Sequence, residues 1–272
     1  MLKRALALIG LLLLSLPAHA AMVEKTIDVN GTTRTYWLYV PLSYRATTPS
    51  PLVVGMHGGY ESAEDFAKIA NFEPFANRDH WILVFPEGLA NQTWNAGTEP
   101  PHSDAEVQQI DDKGFIKALI ASLEASYNID EQRIYATGIS NGGRMAYSLA
   151  CDTSIFRAIA PVAAPLSDAT CSPSAGVSVF HVHGTADDVN PFNGGVTFGD
   201  VVPPSITGLD FWAKADDCEL PIEGRQPGPS AFIGCASGYQ VQLRLIRGGG
   251  HVWRQPNFNT SQQIWNFFKS QN

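Results

Sequence analysis

Two periodicities alternate along this chain. Short apolar runs, too brief for helices, are separated by stretches in which apolar positions return every three or four residues. Thr26–Val29 and Thr33–Val40 flank Asn30-Gly31, a two-residue turn, so residues 24–40 are expected to form a β-hairpin. Pro51–Met56 reads as a buried strand ending at His57-Gly58-Gly59, and Trp81–Phe85 as another, closed by Pro86. Ala90–Val107 is polar and rich in Pro and Gly, which predicts a long loop. Phe115, Ile116, Leu119, Ile120, Leu123 and Tyr127 fall on one helical face. Arg133–Thr137 is a strand, and a helix opens at Gly142 and runs to Ala150. Strands follow at Ala158–Val162, Val177–Val182 and Val241–Ile246, with a terminal helix over Phe258–Phe268. Strands alternating with helices imply an α/β fold with a mostly parallel sheet covered on both faces. No repeat or linker divides the 272 residues, and one domain is the expectation at this length.

The N-terminus follows a different pattern. Lys3 and Arg4 precede an apolar run from Ala5 to Leu16, then Pro17 and the small-x-small sequence Ala18-His19-Ala20. Residues 1–20 therefore read as a secretory leader, leaving 21–272 as a single catalytic domain. The run falls short of the roughly 20 residues that a membrane anchor needs. No later segment is apolar enough to span, so no membrane span is expected after cleavage. Secretion places Cys151, Cys171, Cys218 and Cys235 in an oxidising compartment, where disulfides form. Three pairings are possible; Cys151 with Cys171 and Cys218 with Cys235 keeps each bridge local. The cysteines lack the C-x-x-C spacing of a zinc or redox site. The net charge of −8 becomes more negative when Lys3 and Arg4 leave, which argues against nucleic acid and anionic membranes as partners.

The chemistry centres on Gly138-Ile139-Ser140-Asn141-Gly142, a G-x-S-x-G pattern between a buried strand and a helix. A nucleophile on so sharp a turn sits in a strained conformation, and side chains two residues to either side would strike backbone. A serine hydroxyl also needs a base, and the base needs an acid to orient it. His251 follows the last strand and Gly248-Gly249-Gly250, where the chain can turn back over the sheet. Asp187 lies in the loop after Val177–Val182, with Asp188 as the fallback acid. The order Ser140, Asp187, His251 is the one such sites require. His181 and His183 share a strand face without a third ligand and read as core or loop-anchoring residues; neither a metal nor an organic cofactor is expected. The N–H groups of Asn141 and of Gly59, with Tyr60 as the second choice, are candidates to hold a developing oxyanion. Tyr60, Trp94 and Trp253 are candidate substrate contacts, since each lies close in sequence to these elements.

Taken together, His57-Gly58-Gly59, Trp94-Asn95-Ala96-Gly97, Asp111-Asp112 with Gly114-Phe115-Ile116, Arg133 to Gly143, His183 to Asp187 and Gly248 to His251 with Trp253 carry a resemblance. They run in the same order as in the secreted α/β-hydrolase esterases grouped around polyhydroxybutyrate depolymerases and bacterial feruloyl esterases, which the chain resembles from about residue 25 onward. The resemblance implies the α/β-hydrolase fold, with Ser140 as nucleophile, Asp187 as acid and His251 as base. Family members that attack solid polyester commonly add a linker and a surface-binding domain; neither is read here, so a soluble ester is expected, a feruloyl or acetyl group on plant polysaccharide, and the protein is expected to be a monomer. Short hydroxyalkanoate oligoesters, or acyl transfer on the same fold, are the alternatives. Three departures concern the pocket. Thr98–Ile110 lacks the adjacent cysteines common in the family, Arg254 stands where proline is frequent, and Arg144 stands where small or apolar residues are.

Overall fold

The computed structural model describes residues 20–152, 154–173, 176–218, 228–232, 235 and 238–271. The expected leader, Ala20 apart, lies outside them. The strands are β1 (Val23–Val29), β2 (Thr32–Tyr39), β3 (Ser50–Met56), β4 (Ile82–Pro86), β5 (Ile129–Ile139), β6 (Ala158–Val162) and β7 (Ser178–Gly184), then β8 (Gly195–Thr197), β9 (Asp200–Val202), β10 (Gly228–Phe232) and β11 (Val241–Ile246). Nine of them form one sheet in the order β1-β2-β4-β3-β5-β6-β7-β11-β10, while β8 and β9 pair only with each other. From β4 to β11 every neighbour is parallel. The hairpin β1–β2 and strand β10 add antiparallel edges.

The parallel strands are apolar on both faces because both faces are covered. In β3, Leu52, Val54 and Met56 point into one core and Val53 into the other, as period-two side chains must. The first core is closed by α4 (Asp112–Ser126), α5 (Asn141–Asp152) and α6 (Ser205–Ala215), through Phe115, Ile116, Met145, Leu149, Leu209 and Trp212. The second is closed by α1 (Ala63–Ala70), α2 (Glu73–Asp79) and α7 (Thr260–Lys269), through Phe66, Ala76, Ile264, Trp265 and Phe268. The chain therefore has the α/β-hydrolase fold.

Several elements go beyond the sequence reading. In α1, Ala63, Phe66, Ala67 and Ala70 make a buried stripe, and the Ser62 hydroxyl caps the helix by accepting from Asp65 N–H. The expected loop Ala90–Val107 contains a one-turn helix, α3 (Asp104–Val107), closed by a capping box between Ser103 and Glu106. The cysteines join as Cys151–Cys171 and Cys218–Cys235.

Candidate active site

Ser140 stands between β5 and α5 with φ +55°, a conformation that non-glycine residues rarely adopt. The elbow is tight. A Cβ on Gly138 would lie 2.6 Å from the backbone of Gly142 and from the Met56 carbonyl, and one on Gly142 would overlap the carbonyls of His57 and Met56. Glycine at both positions lets the turn press against the end of β3.

The loops after β7 and β11, adjacent parallel strands, leave the sheet at the same end and are tied together. Thr185 N–H donates to Ile246 O at 2.9 Å, Ala186 N–H to Gly249 O at 2.8 Å, and Gly248 N–H to Thr185 Oγ1 at 2.8 Å. This brings His251 to Asp187, with Nδ1 at 2.9 Å from Oδ2 and 3.1 Å from Oδ1. An ionised carboxylate only accepts, so Nδ1 carries a proton, and in the neutral ring Nε2 is the nitrogen left with a lone pair. Asp187 also accepts from the N–H groups of Val189 and Asn190. Burial pushes its pKa up, but hydrogen bonds from His183, His251 and Asn190 N–H, with the charge of His251, outweigh it. The carboxyl is held well below the usual carboxylate range.

Behind Asp187 lies a buried chain of polar groups with one consistent direction. His183 Nε2 donates to Asn190 O at 2.7 Å and lies 3.4 Å from Asp187 Oδ2, so His183 Nδ1 is an acceptor. His181 Nε2 donates to it at 2.9 Å, and the Tyr147 hydroxyl donates to His181 Nδ1 at 2.9 Å. Burial, then the neighbouring His183, push the His181 pKa well below its ordinary value, so the ring is neutral. The pair is thus a core and loop-anchoring element.

Ser140, Asn141, Gly59, Tyr60 and His251 line one cavity of about 370 Å³, together with Thr93, Glu106, Arg144, Asn190, Phe198 and Asp200 among others. The Tyr60 N–H is spent on Gln92 O at 2.9 Å. Among the described residues the N–H groups of Gly59 and Asn141 have no partner, which leaves Gly59 the better second donor. The Asn141 side chain is paired with backbone: Oδ1 accepts from Trp94 N–H at 2.6 Å and Nδ2 donates to Trp94 O at 3.1 Å. His57 is buried just ahead of Gly58; its Nδ1 donates to Gly58 O at 2.7 Å and its Nε2 accepts from Gly88 N–H at 2.9 Å. Burial lowers its pKa to about 4, so it ties the Gly59 loop to the end of β4 as a neutral ring.

Two expected substrate contacts are corrected. Trp94 is wholly buried, with its indole N–H donating to His57 O at 3.0 Å and its ring 4.8 Å from the His57 ring. Trp253 is buried against Phe66 and Phe72, its N–H donating to Ser261 Oγ at 2.9 Å. Neither lines the cavity; both support the loops that do. Tyr60 does line it and is largely exposed. The sequence reading missed the β8–β9 hairpin, whose Thr197, Phe198, Asp200 and Val202 form one wall. The Gly199 turn between two three-residue strands was its signal. Asn190 was missed as well; its Nδ2 donates to Ala163 O, and its position three residues after Asp187 was the clue.

A serine elbow at the carboxyl edge of a doubly covered parallel sheet defines an α/β hydrolase. Among solved structures, the chain is similar to an acetyl xylan esterase from Aspergillus awamori (TM-score 0.66, 14% identity, 90% of this chain and 99% of that one). At that identity the likeness is one of fold. The profile of the Esterase PHB depolymerase family matches residues 34–196, and the chain belongs to that family. It is 28% identical to the putative esterase NocK of Nocardia uniformis subsp. tsuyamanensis, over 87% of this chain and 75% of the relative. It is 29% identical to feruloyl esterase B of Piromyces equi, over 78% of this chain but only 41% of that longer protein. It is 27% identical to a probable feruloyl esterase C of Aspergillus niger, over 72% of this chain and 74% of the relative. The protein is a carboxylic-ester hydrolase. Among the described residues no helix is long and apolar enough to cross a membrane.

Proposed function

We propose that residues 21–272 form a single secreted domain that hydrolyses feruloyl or acetyl esters of plant polysaccharide through Ser140, Asp187 and His251. The supporting observation is the Asp187–His251 pair, with its free Nε2, sharing a cavity with a serine held at positive φ. His251 takes the Ser140 proton as Oγ attacks the ester carbonyl. Asp187 keeps the imidazole in the required tautomer and stabilises its charged form. The N–H groups of Gly59 and Asn141 receive the oxyanion, the latter at the positive end of α5. His251 then protonates the leaving alcohol and activates water against the acyl-enzyme. The names of the Piromyces and Aspergillus relatives support the substrate class. The two disulfides, and the pattern of residues 1–20, support secretion.

The test compares the mature protein with Ser140→Ala on methyl ferulate, 4-nitrophenyl acetate and a soluble hydroxybutyrate oligomer. The expected result is cleavage of methyl ferulate or 4-nitrophenyl acetate by the mature protein, with at least a ~10³-fold loss of kcat in the variant. Retention of more than a few per cent of activity by Ser140→Ala would sink the assignment.

A further inference from the structure

Arg144 lies in the first turn of α5, four residues after Ser140, and lines the same cavity. Its N–H donates to Ser140 O at 2.9 Å, and its side chain lines the cavity. Most of the donor capacity of the guanidinium is unmatched by protein acceptors among the described residues. Its Nη2 donates to Asn190 Oδ1 at 2.8 Å, a neutral amide oxygen, and among the described residues it forms no ion pair. A guanidinium carries five N–H donors and stays charged in proteins. Burial pulls its pKa down from the ordinary value, while the fields of Glu106 and Asp200 push it up.

Two carboxylates share the cavity. Glu106 accepts from the N–H groups of Thr98, His102 and Ser103 at 3.1, 2.8 and 2.9 Å. Asp200 faces His102 Nδ1 at 3.1 Å. Neither is close enough to neutralise Arg144 by contact. A largely desolvated cation beside the nucleophile, without a contacting anion, is suited to one that arrives with the substrate. Its planar fork matches a carboxylate through two parallel hydrogen bonds.

We propose that Arg144 makes this site selective for esters that also carry a free carboxylate, which the guanidinium holds while the ester carbonyl sits at Ser140. The proposal rests on the hydrolase reading above and narrows its substrate. Within that reading the carboxylate belongs to the alcohol part, as in an acylated hydroxy acid; a carboxylate on the acyl part, as in a half-ester of a dicarboxylic acid, would keep the role of Arg144 but replace the feruloyl or acetyl acyl group.

Two matched pairs test it. For the acyl arm, monoethyl glutarate is compared with ethyl glutaramate, in which an amide replaces the carboxylate. For the alcohol arm, O-acetyl-β-hydroxybutyrate is compared with its amide. In one arm the wild-type protein should favour the acid over the amide by roughly tenfold or more in kcat/KM, as expected of a charge-assisted pair. Arg144→Gln should bring that ratio close to one, and Arg144→Lys should restore part of it. Fluorophosphonate labelling of Ser140 shows whether each variant keeps a folded elbow. If Arg144→Gln fails to label, Arg144→Lys and the wild-type ratio carry the test. An acid-to-amide ratio near one in both arms for the wild type overturns the proposal, and so does a ratio that Arg144→Gln leaves unchanged. Loss of labelling in the wild type itself would instead overturn the hydrolase reading, and the proposal with it.

Discussion

Acid should destabilise this protein through His57, and the size of the effect can be worked out. The ring is fully buried, and its two nitrogens join Gly58 O to Gly88 N–H. Its pKa is lowered from 6.5 to about 4 by burial. Between these values the unfolded chain takes up a proton that the folded chain refuses, so stability rises with pH across the window and is lost as pH falls through it. At 1.36 kcal/mol per pKa unit, the shift amounts to about 3 kcal/mol lost between pH 7 and pH 4. That is a large fraction of the total stability of an ordinary domain. His57→Gln keeps an acceptor for Gly88 N–H but cannot ionise. Urea denaturation from pH 4 to pH 8 should show the variant less stable than wild type at neutral pH, by about 1–2 kcal/mol for the altered hydrogen bonds. The gap should close or reverse toward pH 4. Parallel stability profiles for the two proteins would refute the reasoning, since the acid sensitivity would then lie elsewhere, with the neutral His181 the first alternative.

Two further perturbations probe other parts of the structure. Asp216 is buried, its Oδ1 accepting from Val177 N–H at 3.1 Å, and burial raises its pKa from 3.8 to about 7. Here the folded state holds a proton that the unfolded state has lost, so stability falls as pH rises between those values. The full shift corresponds to about 4 kcal/mol, which solvent screening reduces to the order of 2 kcal/mol. Asp216→Asn should therefore raise Tm at pH 8 and leave it nearly unchanged at pH 4; an equal effect at both would contradict the assignment. Gly142→Ala drives a Cβ into the carbonyls at the end of β3. It should destabilise by about 1–3 kcal/mol and lower kcat more than it raises KM, because Ser140 moves with the turn. Unaltered kinetics would mean that the elbow tolerates displacement.

The strands of the parallel sheet were legible because their burial on both faces leaves unbroken apolar runs, as in Pro51–Met56 and Trp81–Phe85. The stripe of α1, with Ser62 ahead of it, was equally present in the sequence and went unread. Proximity in sequence misled for Trp253. Two residues beyond His251 is close along the chain, but the direction of the side chain is set by Phe66 and Phe72, which come from a different part of the sequence. The same holds for Tyr60, whose N–H is taken by Gln92 through a contact that no local pattern announces. Ser140, Asp187 and His251 could be placed because each follows a readable strand. The far wall of the cavity could not, because β8 and β9 are three residues each and carry too little periodicity.

That wall has a consequence for how such enzymes diversify. The β8–β9 hairpin shares no backbone ladder with the nine-stranded sheet, carries the largely exposed Phe198 at its tip, and begins where the family match ends, at residue 196. Its tie to the acid loop runs through Thr197 Oγ1, which donates to Val189 O at 2.8 Å, so an exchange that keeps Thr197 leaves the ladders of the nine-stranded sheet untouched. On the proposed mechanism, the wall that meets the substrate and the residues that carry out the chemistry are then separable units of inheritance. A library over residues 195–201 that keeps Thr197 can search for new esters while the buried Val202 stays in place.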